Sequence, residues 1–218
     1  DDPNGQNRGD GHYWDVWHGR LPFTSYRTQH HRFMSEFGFE SLPAFETCKS
    51  FARGDDLNVT SHVMECHQKN SGGNGLILHY LAQTFRFPKN FEMMCYLSQI
   101  LQAEAMRYGV EHWRRNRGRC MGTLYWQLND CWPVCSWSSI DYYGRWKALH
   151  YAARRFYAPV CLSVHEDGTR ARIHVTNDTT KAAKIDVMWS LERFDGSVIR
   201  KSRVSTRVEP EQDKLLAD

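Results

Sequence analysis

Cys120-Met121-Gly122-Thr123-Leu124-Tyr125-Trp126-Gln127-Leu128 decides the fold class. It is a nearly continuous apolar run of strand length, the pattern of a strand covered on both faces, and such strands belong to parallel sheets flanked by helices. Immediately upstream, Phe91, Met94, Leu97, Leu101, Ala105, Tyr108 and His112 recur every three or four residues. That spacing predicts an amphipathic helix started by Asn90, with Arg114, Arg115, Arg117 and Gly118 at its end, where cations suit the helix dipole. Downstream, a polar and aromatic loop over 129–144 leads to Trp146, Leu149, Ala153 and Phe156, a further helix stopped by Pro159.

Two shorter runs complete the pattern. His12-Tyr13-Trp14-Asp15-Val16-Trp17 and Arg32-Phe33-Met34-Ser35 read as buried strands, 24–31 as a short polar helix, and Leu76 to Ala82 as a short helix after Gly72-Gly73-Asn74-Gly75. Strand and helix alternate, so the first part of the chain is α/β. Beyond Pro159 the period changes to two, in Ala171-Arg172-Ile173-His174-Val175 and Ile185-Asp186-Val187-Met188-Trp189-Ser190-Leu191, with turn signals at Asn177-Asp178 and Asp195-Gly196. This is an antiparallel pattern. About four strands fit between Val160 and Pro210, fewer than the ~7 of an immunoglobulin-type sandwich. Two domains are expected, residues 1–158 and 159–218.

Composition excludes several functions. With 28 Lys and Arg against 25 Asp and Glu in 218 residues, the net charge of +3 argues against a nucleic-acid clamp, and 41% hydrophobic against 24% charged residues argues against disorder. No run approaches the ~18 apolar residues of a membrane span. Seven cysteines, an odd number without C-x-x-C spacing, predict free thiols, and no standard metal-ligand spacing occurs. No metal or cofactor is expected. The polar start, without an initiator Met or signal peptide, reads as a loop within a longer polypeptide. Asn58-Val59-Thr60 and Asn177-Asp178-Thr179 spell N-glycosylation acceptors, relevant only in a secretory compartment.

The chemistry gathers at strand ends. Glu36 follows one strand-like run; Gln127, Asn129, Asp130 and Trp132 follow another; Trp14, Asp15, Trp17 and His18 close a third. Sugars call for such a mixture, because pyranose C–H faces stack on indoles, hydroxyls need polar partners, and glycosidic cleavage needs carboxylates. For any one tryptophan, core packing remains the competing reading. Glu36 at a strand end has a structural alternative too, an ion pair with Arg32.

Arg32-Phe33-Met34-Ser35-Glu36-Phe37-Gly38-Phe39-Glu40-Ser41-Leu42-Pro43, Gly122-Thr123-Leu124-Tyr125-Trp126-Gln127-Leu128-Asn129-Asp130-Cys131-Trp132-Pro133 and Ser136-Trp137-Ser138-Ser139-Ile140-Asp141-Tyr142 together resemble the β-mannosidases of glycoside hydrolase family 2. The resemblance covers roughly residues 1–160. It implies the C-terminal part of a (β/α)8 TIM barrel, its last three strands at about 12–17, 32–36 and 120–128, followed by a partial all-β immunoglobulin-like sandwich. Glu36 matches the catalytic nucleophile, and Trp126 the aromatic floor of the subsite for the cleaved mannose. Trp17 and His18 correspond more weakly to sugar-contacting residues, and Asn129, Asp130 and Trp132 to the loop that shapes the pocket.

The implied reaction is exo-acting, retaining hydrolysis of terminal β-mannosides. In that chemistry a second carboxylic acid lies about 5–5.5 Å from the nucleophile. The family's acid/base Glu follows an Asn, and this sequence has no Asn-Glu pair, so the acid/base and the earlier strands are expected in a missing N-terminal part, leaving the chain inactive alone. The implied partners are a β-mannoside oligosaccharide and that missing part, with no nucleic acid and no membrane. Family analogy points to a periplasmic, secreted or lysosomal compartment. Two alternatives stay open: another family 2 glycosidase, such as a β-galactosidase or β-glucuronidase, and a carbohydrate-binding fragment without catalysis.

Overall fold

The computed structural model describes residues 4–218. Its organising element is β2 (Met34–Phe37), which pairs in parallel with β1 (Gly11–Tyr13), setting His12 opposite Glu36 and Tyr13 opposite Phe37. The other edge of β2 runs beside the 121–126 segment. Met34 N donates to Gly122 O at 3.0 Å, Leu124 N to Met34 O at 2.8 Å and Trp126 N to Phe37 O at 2.8 Å. Three chain segments thus lie side by side with β2 in the middle.

Helices cover the seam: α1 (Phe45–Cys48), α2 (His62–Cys66), α3 (Gly73–Thr84), α4 (Phe91–Arg115) and α5 (Ala148–Phe156). The predicted long helix is α4. Asn90 caps it by accepting from Met93 N at 2.8 Å, a contact worth about 1 kcal/mol in such positions. Its buried face carries Leu101, Ala105, Met106, Val110 and Trp113. Against it pack Phe37, whose ring centroid is 4.6 Å from that of Trp113, and Tyr26, 5.6 Å from Trp113. Phe39 continues the core onto Tyr80 of α3 at 4.8 Å. Among the described residues no helix is long and apolar enough to cross a membrane.

Beyond α5 come β3 (Val160–Asp167), β4 (Arg170–Asn177), β5 (Ala183–Glu192), β6 (Val198–Val208) and β7 (Gln212–Ala217). They form two antiparallel sheets, β3-β4-β7 and β5-β6. Asn177 joins the two sheets: fully buried, it donates to Lys181 O at 2.9 Å, Val208 O at 3.3 Å and Glu209 O at 3.1 Å. Its amide nitrogen is therefore committed, whereas Asn58 is exposed. At the junction with the helical part, Arg114 near the end of α4 donates to Phe156 O and Ala158 O and pairs with Asp178 at 2.9 Å; Arg117 pairs with Asp178 at 3.0 Å and Glu211 at 3.1 Å.

Three expected elements differ. The first strand stops at Tyr13, because His18 N turns back to Trp14 O at 2.7 Å and Leu21 N to Asp15 O at 3.0 Å, folding 14–21 into a turn. The short helix is a 3-10 segment, Phe23–Thr28. The 120–128 run keeps β2's hydrogen bonds without forming a continuous strand.

The seam between β2 and Trp126 is close enough to require glycine. A Cβ on Gly38 would stand 2.4 Å from Trp126 O and 2.9 Å from the Trp14 ring. Gly38→Ala should lower unfolding stability by about 1–3 kcal/mol, read from the urea midpoint; an unchanged midpoint would contradict this seam. A second prediction concerns His112, which is buried, with Nε2 3.0 Å from Gln29 O. Burial holds its imidazole down at about 4, whereas an unfolded chain takes up that proton near ~6.5. Between those values the unfolded state binds more protons, so this group's share of stability falls as pH drops through that window, by at most about 3 kcal/mol. Comparing urea midpoints at pH 7 and pH 4.5, His112→Gln should show a shallower loss than the unsubstituted protein.

Candidate active site

The parity of the strands places the site. On β1, Tyr13 turns into the core, so His12 and Trp14 face the opposite way, the direction in which Glu36 leaves β2. Trp14 Nε1 donates to Glu36 Oε1 at 2.9 Å, and His12 Nδ1 lies 3.6 Å from the same oxygen. The carboxylate keeps 29% side-chain exposure. That exposure lets solvent or substrate reach it.

Around it stands an aromatic wall. Trp14 lies 5.2 Å from His18 and meets Trp137 edge to face at 5.9 Å, and His18 is 6.3 Å from Trp137. Partial enclosure pushes the His18 imidazole below its usual value, which keeps it neutral at neutral pH. Trp126 emerges beside Gly38, two residues past Glu36, with its backbone held by Phe37 O and its residue 44% exposed. The peptide between Trp126 and Gln127 is cis.

A buried glutamine on α4 ties the wall to the strand exit. Gln102 Nε2 donates to Phe39 O at 2.8 Å, Trp137 O at 3.1 Å and Ser138 O at 3.3 Å, and its Oε1 accepts from Ser41 Oγ at 2.8 Å. One turn earlier, Ser98 Oγ accepts from Leu42 N at 3.1 Å. These backbone groups are buried, so their pairing avoids a cost of about 1–3 kcal/mol each.

The predicted site residues divide. His18 lies against Trp14, the indole that holds Glu36, and the backbone of Trp126 passes beside Phe37 and Gly38 at the end of β2. Trp17 does not: it is fully buried, 4.8 Å from Phe39 and 6.4 Å from Tyr80, so it is a core residue with no route to a sugar. The turn after Tyr13 sends it inward. Asp130 is also corrected, because its side chain is fully enclosed, accepting from Ser136 Oγ at 2.7 Å and Ser138 Oγ at 2.6 Å, with Lys69 3.9 Å away. It braces the loop that carries Trp137. Trp132 stands with another pair, His67 at 5.2 Å and Phe51, which stacks on His67 at 3.8 Å. Asn129 is exposed and bridges to Ile140.

The sequence placed Trp14 at a strand end but gave it no role, and it left His12, Trp137 and Gln102 out of the site. For Trp14 and His12 the signal was present in parity, since a buried Tyr13 sets both neighbours on the other face. For Gln102 it lay in the helical spacing with Ser98, a polar pair on an otherwise apolar stripe.

Glu40 is a useful contrast. Fully buried, it has no hydrogen bond to either carboxylate oxygen, and burial raises its carboxyl well above the usual range. Its Oε2 would be 2.3 Å from a Cβ on Gly73, so the start of α3 closes over it. The buried Lys147, pushed down by the same desolvation, donates to Ser41 O and Ser136 O beside it. A raised carboxyl in that enclosure has no path to a leaving group.

Comparisons with known proteins agree on the kind of chain this is. No protein-family model matches it. β-Mannosidase B of Aspergillus niger is 40% identical over 191 residues, covering 85% of this chain and 23% of that protein, and β-mannosidase B of Emericella nidulans is 40% identical over 164 residues, 73% and 20% respectively. The chain therefore spans between a fifth and a quarter of the length of these relatives. Among solved structures, a β-D-mannosidase from Dictyoglomus thermophilum superposes with a TM-score of 0.91 at 34% identity, covering 99% of this chain and 27% of that one. An exo-chitosanase from Amycolatopsis orientalis, 19% identical with a TM-score of 0.78 over 90% of this chain and 26% of its own, shares the fold. Sequence likeness along most of the chain and backbone likeness along nearly all of it show that the chain belongs with the β-mannosidases of glycoside hydrolase family 2.

Proposed function

We propose that the polypeptide carrying this chain is a retaining exo-β-mannosidase and that Glu36 is its nucleophile. The observation that carries this reading is the Glu36 carboxylate at the end of a parallel strand, one oxygen held by Trp14 Nε1 and the side chain still open to solvent. In this arrangement Oε1 is fixed while Oε2 is left to attack an anomeric carbon. Trp14, His18 and Trp137 wall the approach, and Trp126 offers an indole face on which the sugar's C–H surface stacks.

Two steps follow. Glu36 displaces the aglycone to give a glycosyl-enzyme; water, activated by the second carboxyl group, then releases mannose with its configuration retained. Among the described residues, Glu36 hydrogen-bonds to Trp14 and pairs with His12. This reading assigns the acid/base to a part of the polypeptide outside this chain, on the family's Asn-Glu pattern that this sequence lacks, and makes the chain inactive alone. The same reading makes residues 1–158 the end of a (β/α)8 barrel and residues 159–218 the start of an immunoglobulin-like sandwich. Its support is the run of three adjacent parallel segments and the two antiparallel sheets after them.

In the full polypeptide, Glu36→Gln should lower turnover of an aryl β-D-mannoside by at least about 10³-fold while mannoside binding persists. Glu36→Ala with added azide should recover cleavage and yield the α-configured glycosyl azide. Turnover within tenfold of the unsubstituted enzyme would remove Glu36 from the reaction. The substrate half is tested separately: aryl β-mannoside should be hydrolysed faster than the matching β-galactoside, β-glucuronide and β-glucosaminide, and a reversed order would overturn it.

A further inference from the structure

Between the end of α4 and the sheet formed by β3 and β4 lies a cavity of about 290 Å³ remote from Glu36 in the fold. Its lining is basic: Arg27, His30, His112, Arg115, His165, Arg172 and His174, with Asn116 the remaining member. Two buried guanidinium nitrogens among these residues have no hydrogen-bond partner, Arg27 Nε and Arg115 Nη1. Buried donors are normally satisfied, and an orphan costs about 1–3 kcal/mol. Two on residues lining one hollow mark a place where an acceptor belongs.

The carboxylates nearby are already engaged. Glu166 holds Arg27 at 2.9 Å and accepts from Tyr108. Glu111 sits 3.0 Å from Arg107 but 3.7 Å from Arg115, whose side chain is only 6% exposed. Asp213 takes His174 Nδ1 at 2.7 Å and Thr176 at 2.9 Å. Asp218 is bound closely by Arg170 and stands 3.7 Å from Arg172. Arg115 and Arg172 thus each share a carboxylate with a nearer arginine. The carbonyl end of α4 offsets only about half a charge.

We propose that this cavity binds a tetrahedral oxyanion of the phosphate or sulfate class. Arg115 and Arg172 supply the charge, and Arg27 Nε supplies a further donor; guanidinium forks match the oxygen spacing of such anions. His112 takes no part, because its Nε2 is committed to Gln29 O and its Nδ1 faces Asn116 Nδ2 at 3.4 Å. The site stands apart from the glycosidase reading and survives or fails independently of it.

Isothermal titration of the full polypeptide with inorganic phosphate and with sulfate, sodium chloride holding the ionic strength constant, tests this. Saturable binding at one site is expected, weakened about tenfold or more by Arg172→Gln, whose 31% exposed side chain makes the substitution tolerable to the fold. Arg115→Gln should weaken it further. If Arg115→Gln does not fold, Arg172→Gln decides alone. No saturable binding, or phosphate and sulfate affinity unchanged in a folded Arg172→Gln protein, overturns the assignment.

Discussion

Everything at the candidate site depends on the double-sided pairing of β2. A parallel strand hydrogen-bonded on both edges cannot slip by one residue without turning every side chain to the opposite face. Here β1 sets the register from one side through His12 opposite Glu36, and the 121–126 segment sets it from the other through Met34 and Phe37. One consequence is that Met34 and Phe37 are sealed in the interior while Glu36 between them keeps an outlet. Another is that the chain's exit at Gly38 passes directly under the Trp126 carbonyl, so the strand end and the aromatic loop are placed by one backbone contact.

Glu36 and Glu40 show how environment, more than residue type, separates chemistry from structure. Four residues apart, they share charge and reach. Glu36 has an indole N–H as partner and access to solvent. Glu40 has neither, and desolvation drives it toward the neutral acid. Lys147, equally buried, spends its donors on the carbonyls of Ser41 and Ser136. The pair is a polar knot beneath the loop that bears Trp137, and its location explains its perturbation without a catalytic role.

Much of the fold was legible because its strongest signals are periodic. The three- and four-residue spacing of Phe91 to His112 gave α4, and the change to alternation after Pro159 marked the two sheets. The candidate site was legible in part. Glu36 and Trp126 rest on long local motifs, but Trp17 rested on a strand-end position and a weaker family correspondence, and neither distinguishes an indole on a strand's open face from one carried into the core by a turn. Asp130, placed with the pocket-shaping loop, does not reach the open site: the serines at 136 and 138 supply the two hydroxyls that let it stay buried. Such pairings across a loop leave no periodic trace.

The polar stripe of α4 carries this reasoning to its last step. An all-apolar helix face would pack against β2 with more buried hydrocarbon, yet it would leave the carbonyls of Phe39 and Ser138 and the amide of Leu42 without these partners. Ser98 and Gln102 satisfy those groups from within the core. Because an unpaired buried group costs more than a methylene of lost packing gains, the polar choice at these two positions is favoured. It also fixes geometry. Hydrophobic contact alone would permit the Trp137 loop to slide over the helix, whereas a glutamine that must serve the strand exit and that loop together admits only one relative placement, and the wall facing Glu36 inherits it.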